Sequence, residues 1–407
     1  MPTREKQTAD PGKKGAWGDP GAGPTPPEIP KPTPLPPIKG LQDYLTAAYA
    51  AEKGAIELPS MILTNKPDSA KLAVSIIAFD STDEHYAGIN DELMYYSGSL
   101  VKVAAVYAAH DLRAQARMHA ATQSFADVAT FQASLASVVN PSGAVAQLRS
   151  MGVGLMPNLS SILGGFRPSG PNKVEFMPAF RDHHLSNNAA DENSVFHNAG
   201  ARAIIRALGY SYINVSMMRS GFYDPTTRKG IWLAGDYSGD IKDKALRLPV
   251  SRVPVVNDDV PEGGAQAITT KQMSRMFHLI HSQTGFSHIT DQTERDAANQ
   301  GIHDVLTPGD RLGPSPYPPG KFFSHCGKVG IGTRGPVDKP GASVLSEGSI
   351  VQWTAPPTLV GAFNTDHSRN LSGEFVLVWQ NLFDQPTAKS ALGRLVTSTM
   401  ENFLNQS

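Results

Sequence analysis

Cysteine is almost missing from this 407-residue chain: the one thiol, Cys326, excludes an internal disulfide and any cysteine-built zinc site. No apolar run reaches the roughly 20 residues that a membrane-spanning helix needs. The opening Met1-Pro2-Thr3-Arg4-Glu5-Lys6 has no hydrophobic signal core. The expected location is therefore cytoplasmic by default, or periplasmic or secreted where a leader has been removed. An excess of either charge is also absent, with Lys+Arg 36 against Asp+Glu 37 and no basic run, so the footprint of a nucleic-acid partner is missing. Gly-Lys-Ser/Thr phosphate loops, Gly-x-Ser-x-Gly elbows and dinucleotide fingerprints do not occur. Those enzyme classes fall away.

Large apolar residues are scarce in residues 1–39, which hold 11 of the 32 prolines. Such a segment cannot bury enough surface to offset its ordering entropy and reads as a disordered, partly polyproline tether. A proline-recognising partner is the alternative. Globular character starts at Gly40, with Leu41, Tyr44, Leu45, Ala48 and Tyr49 at helical spacing. Lys71 to Phe79 then reads as a central strand and His85 to Ile89 as its hairpin partner. Between 112 and 195 only weak helical patterns appear, Phe125 to Val139 and Ala144 to Met151. Asn198 to Gly209 is a clean amphipathic helix that Asn198 can cap and Gly209 ends. Residues 210–268 read mostly as loop, followed by a threonine-capped helix from Thr270 to His281. Phe322 to Val329, Gly348 to Trp353 and Glu374 to Gln380 are β-rich, and Ala388 to Leu404 is a final amphipathic helix. Strands at both ends with helices between predict an α+β fold: one antiparallel sheet flanked by N- and C-terminal helices, with a large all-α lobe inserted. The expected division is a tether at 1–39, a sheet lobe at 40–96 plus 320–407, and a helical lobe at 97–319.

The stretch that carries chemistry is Tyr95 to Ala109, a turn feeding a helix apolar on nearly every side. Ser99 and Lys102 are the polar side chains of its first turn. Three residues apart, they share a helical face, so Lys102 can accept the hydroxyl proton of Ser99 while the helix N-terminus favours the alkoxide. A Ser-x-x-Lys tetrapeptide alone turns up about once in a chain of this length. Lys328 begins a second polar feature, Lys328-Val329-Gly330-Ile331-Gly332-Thr333-Arg334-Gly335.

That element order, with Ser99-Leu100-Val101-Lys102 on the first buried helix and Lys328-Val329-Gly330 on a late strand, resembles the penicillin-recognising serine hydrolases. These are the class A β-lactamases and the DD-peptidase domains of penicillin-binding proteins, whose Ser-x-x-Lys, Ser-Asp-Asn and Lys-Thr-Gly boxes converge on one cleft. The resemblance implies Ser99 as nucleophile, Lys102 as its base, and the Ser99 and Ile331 N–H groups as oxyanion hole. It implies Lys328 and Asn198 as acyl-orienting groups, Phe196, Val329, Gly330 and Arg334 as substrate contacts, and no cofactor or metal. The second box departs from the pattern. Phe196-His197-Asn198 precedes the proper helix, whereas Ser186-Asn187-Asn188 matches Ser-x-Asn without such a helix. Phe196 then stands where the family's serine passes a proton to the leaving group, a task left to His197 or Lys328. No glutamate lies between Asn214 and Val260, and Asp236 and Asp240 are the nearest carboxylates, so efficient penicillinase activity is not expected. Val329 also removes a hydroxyl that commonly holds a substrate carboxylate.

The expectation is a divergent serine hydrolase or acyltransferase that acts on an amide or ester through a Ser99 acyl-enzyme. A catalytically degenerate binding protein and a glutaminase-like amidohydrolase are the alternatives. Cys326 reads as strand packing, and the His278-Leu279-Ile280-His281 pair as too poor in further ligands for a metal.

Overall fold

A computed structural model describes residues 40–62, 66–79, 84–125, 127–138, 157–166, 173–188, 190–233, 266–307, 322–333, 343–353 and 374–404. The Pro-rich segment, the pattern at Ala144 to Met151, and Asp236, Asp240 and Arg334 lie outside the described residues. The main elements are α1 (Leu41–Ile56), β1 (Ala73–Phe79), β2 (Glu84–Ile89), α2 (Lys102–Thr122), α3 (Val128–Val138), α4 (Asn198–Leu208) and α5 (Tyr210–Arg219). They continue with α6 (Thr270–His281), α7 (Gln292–Leu306), β3 (Phe322–Thr333), β4 (Ser343–Trp353), β5 (Glu374–Phe383) and α8 (Pro386–Leu404).

The five strands form one sheet in the order β2-β1-β5-β4-β3, antiparallel throughout. The class is α+β as expected, with strands from both ends of the chain in a single sheet. β5 shows why its sequence is apolar without a break. Phe375, Leu377 and Trp379 face a core shared with α1 and α8, while Val376 and Val378 face a second core beneath α2 and α6. A strand covered on both faces has no polar side to alternate with. Register changes once between β4 and β5, where Leu345 pairs Leu382 and Ser346 pairs Gln380. The unmatched residue, Asn381, takes φ 63° and donates to the carbonyls of Ser69 and Lys71 at 2.8 Å.

Two local expectations need correction, and one helix had no expectation at all. The late strands are longer than their β-branched runs, because pairing carries β3 to Thr333 and begins β4 at Ser343. Residues 210–219 are helical, not loop: Gly209, at φ 79°, ends α4 and the chain re-enters a helix at once. α5 is buried from Tyr210 to Met218, so it shows no polar stripe from which a period could be read. The helix α7 is capped by Asp291, whose side chain accepts from the Glu294 N–H at 3.0 Å. Its sequence is polar enough to pass for loop. No helix among the described residues is long and apolar enough to cross a membrane.

Candidate active site

Ser99 sits in a single 3-10 turn, Gly98–Val101, that runs directly into α2. The turn is wedged against the free edge of the sheet. Gly98 takes φ 54°, and a Cβ there would fall 2.8 Å from the Ile331 carbonyl oxygen and 2.9 Å from the Ile331 nitrogen. From the strand side, a Cβ on Gly330 would fall 2.1 Å from the Ser97 oxygen and 2.8 Å from the Leu100 nitrogen. Main chain meets main chain here, and only glycine permits that separation. The arrangement brings the backbone of Ile331 beside the turn that carries half-buried Ser99.

Lys102 is 1% exposed. Its Nζ donates to Asn198 Oδ1 at 2.9 Å and to the Phe196 carbonyl oxygen at 3.4 Å. A buried ammonium or amine is costly without such acceptors, and the first residue of α4 and the turn before it supply them. Asn198 is therefore not the cap that its position suggests. His197 holds the N-cap place, with φ −98° and ψ 159° and its carbonyl accepting from the Ala201 N–H at 3.2 Å. Asn198 is the first helical residue, and its side chain turns to Lys102. The His197 side chain is half-buried.

Lys328, on β3, is 2% exposed. Its Nζ donates to the Val329 carbonyl at 3.0 Å and lies over the Phe196 ring, 5.3 Å from the centroid. Phe196 thus touches both lysines, one through its carbonyl and one through its ring face. Val329 pairs with Glu347 on β4 and is buried. The Ile331 side chain projects outward, 57% exposed.

Neither a protein-family model nor a curated protein sequence matches the chain. Among solved structures, TLA-1 extended spectrum beta-lactamase is similar at 10% identity and a TM-score of 0.45, over 90% of this chain and 100% of that one. The class A beta-lactamase from Mycobacterium abscessus gives 13% identity and a TM-score of 0.41, over 89% and 99%. PBP-A, as an acyl-enzyme complex with penicillin-G, gives 12% and 0.40 over 90% and 99%. Likeness at this level carries no information on activity, and the chemistry has to be read from the residues themselves.

The structure brings Ser99, Lys102, Phe196, Asn198, Lys328 and the Ile331 backbone to one place. It leaves the other Ser-x-Asn candidate apart: Asn187 donates to the carbonyls of Asp304 and Thr307 at the end of α7, at 3.2 and 2.6 Å. His278 and His281 stack on Phe79, and His281 pairs with Glu374 at 3.1 Å. Burial pushes the Cys326 thiol up to about 12, which keeps it protonated and unreactive.

Several supports of the site escaped the sequence. Ser346 on β4 is buried, and its hydroxyl donates to the Ser97 carbonyl at 2.7 Å and lies 3.4 Å from the Gly330 carbonyl. It fastens the Ser99 turn to the edge strand. The Ser97 N–H reaches the Gln266 carbonyl at 3.0 Å. Buried Ser194 accepts from the Phe196 N–H at 3.2 Å and donates to Ser186 O at 2.9 Å, setting the turn that presents Phe196. Serines scattered through a sequence give no signal of this kind, because each is defined by a contact with a distant segment.

Proposed function

We propose that the chain is a serine hydrolase or acyltransferase that forms an acyl-enzyme at Ser99. The observation that carries this reading is the pairing of Lys102 with Asn198 and Phe196 on the same turn as Ser99. A neutral amine has two N–H bonds and one lone pair. The Asn198 and Phe196 oxygens accept both N–H bonds, which turns the lone pair away from them and leaves it to take a proton from the neighbouring hydroxyl. Ser99 Oγ then attacks the acyl carbon as its proton passes to Lys102. The N–H groups of Ser99 and Ile331 receive the developing oxyanion, helped by the N-terminal end of α2. When the tetrahedral adduct collapses, the bond to the leaving group breaks and the proton held on Lys102 goes with it. Water or another acceptor hydroxyl releases the acyl group in a second, equivalent step. His197, between Phe196 and Asn198 in the chain, serves as a further proton carrier.

Intact mass after exposure to a fluorophosphonate or a fluorescent penicillin tests the reading. A single adduct on the wild-type chain that is lost in Ser99→Ala is expected. No adduct with either reagent would discard it. A second reading, a site that binds an acyl ligand without turnover, is favoured by the Phe196 ring over Lys328. It predicts a ligand-induced rise in Tm with no adduct, unchanged in Ser99→Ala.

A further inference from the structure

The chemistry of Ser99 does not say what kind of acyl group reaches it, but the surroundings of the two lysines do. Lys328 is the cation on the edge strand nearest the Ser99 turn, and in an open cleft its ammonium would attract an anionic substrate. Here it is 2% exposed. The Phe196 ring lies on it at 5.3 Å and the Val329 carbonyl accepts from it at 3.0 Å. Lys102, 1% exposed, is enclosed by the same residue's carbonyl and by Asn198. The Lys328 ammonium and the Lys102 amine therefore both have their partners inside the protein, beside Phe196.

What the site shows to solvent has the opposite character. Ile331 is 57% exposed, one of three large apolar side chains so exposed among the described residues. It belongs to the residue whose backbone lies against Gly98, next to Ser99. The half-buried Phe196 ring stands on the Lys328 side. A carboxylate directed at Lys328 would lose hydration against the Phe196 ring, with the ammonium beneath the ring out of reach. Burying a charge without a partner is strongly unfavourable, whereas an alkyl chain gains from the same surface.

We propose, resting on the Ser99 reading above, that the site selects uncharged acyl groups with an apolar chain, and that Phe196 is the residue that sets this preference. Covering Lys328 with an aromatic face is what excludes anionic acyl donors. Ile331 is where the apolar chain rests.

Two esters of equal chain length decide it: p-nitrophenyl hexanoate, which ends in a methyl group, and mono-p-nitrophenyl adipate, which ends in a carboxylate. The full chain is assayed with Ser99→Ala as the background. The expected result is a kcat/KM for the hexanoate roughly 10- to 100-fold above that for the adipate. Phe196→Ala, which keeps the carbonyl to Lys102, is expected to narrow that ratio about tenfold by raising adipate turnover. Phe196→Tyr, which keeps the ring, should preserve it. Ile331→Ser should lower hexanoate turnover with little change for the adipate. Since Phe196 and Ile331 both reach solvent, these variants are expected to fold, and an unchanged Tm checks that. Ser99-dependent turnover of both esters at equal kcat/KM would overturn the preference while leaving the Ser99 chemistry intact. A ratio unmoved by Phe196→Ala would remove Phe196 from the role. No Ser99-dependent turnover of either ester, together with no fluorophosphonate adduct, would overturn the Ser99 reading and this preference with it.

Discussion

A single side chain can make the stability of the fold depend on pH, and His110 on α2 is placed to do so. It is fully enclosed: its ring stacks edge-on to Phe176, Gly301 leaves just enough space for it, and neither ring nitrogen finds a hydrogen-bond partner among the described residues. Burial, aided by the charge of Arg113, brings its pKa down to about 3. The imidazole therefore stays neutral in the folded chain, while the unfolded chain binds a proton below about 6.5. The unfolded state then holds more protons, so stability falls as pH drops from about 6.5 towards 3. Between pH 7 and pH 5 this one group is expected to remove about 2 kcal/mol. Urea unfolding of wild type and His110→Leu at the two pH values measures it, with the variant losing that much less. Equal losses would show that His110 does not couple to the transition. The sequence offered no warning of this, since a histidine within a helix looks the same whether it faces water or a phenylalanine.

At the scale of elements, α2 is held by a polar hub as well as by its apolar surface. Asp111 is fully buried and receives Arg219 at 2.5 Å, Gln115 at 2.6 Å, His288 at 2.7 Å and Ser216 at 2.8 Å. Burial alone would raise its carboxyl, but Arg219 and His288 overcome that and hold it well below the usual carboxylate range. The hub ties α2 to α5 and to the segment after α6. Asp111→Ala would leave Arg219 enclosed without its carboxylate, at a cost of about 3–5 kcal/mol, to be read from chemical denaturation. A loss below about 1 kcal/mol would mean that the hub relaxes onto water. The sequence concealed both partners: Arg219 ends a helix that is buried all round, and His288 lies in a connection. The strands and the helices α1, α4, α6 and α8 were legible because each buries one face or sits wholly in the sheet. Periods of 2 and 3.6 survive in their sequences. α5 and α7 were not legible, the first being apolar on every side and the second polar on most.

For the molecule as a whole, the sheet is closed by the two ends of the chain. β1 pairs with β5, and α1 packs on α8 over one sheet face. α8 alone buries Leu392, Leu395, Val396, Met400 and Phe403 there. At about 1.5–3 kcal/mol for each such side chain, their sum rivals the whole stability of an ordinary domain, about 5–15 kcal/mol. A chain cut before Pro386 is expected to lose its cooperative melting transition and to aggregate. Circular dichroism melting and size exclusion would show it. A truncated chain that remains monomeric with an unchanged Tm would refute the closure.

Sequence alone determined the class of fold and which segments carry polar groups in apolar surroundings: Ser99 with Lys102, Phe196 to Asn198, and Lys328. Those features are local, fixed by the side-chain period of each element and by the cost of burying charge. The tertiary structure alone decided how the segments meet. It turned Asn198 from a cap into an acceptor for Lys102, set the Phe196 ring on Lys328, and locked the Ser99 turn to β3 through Gly98, Gly330 and Ser346. Such contacts join residues up to 249 positions apart. Nothing in the neighbourhood of either residue along the chain encodes the other, and only the packing of the sheet edge against α2 brings them within hydrogen-bond distance.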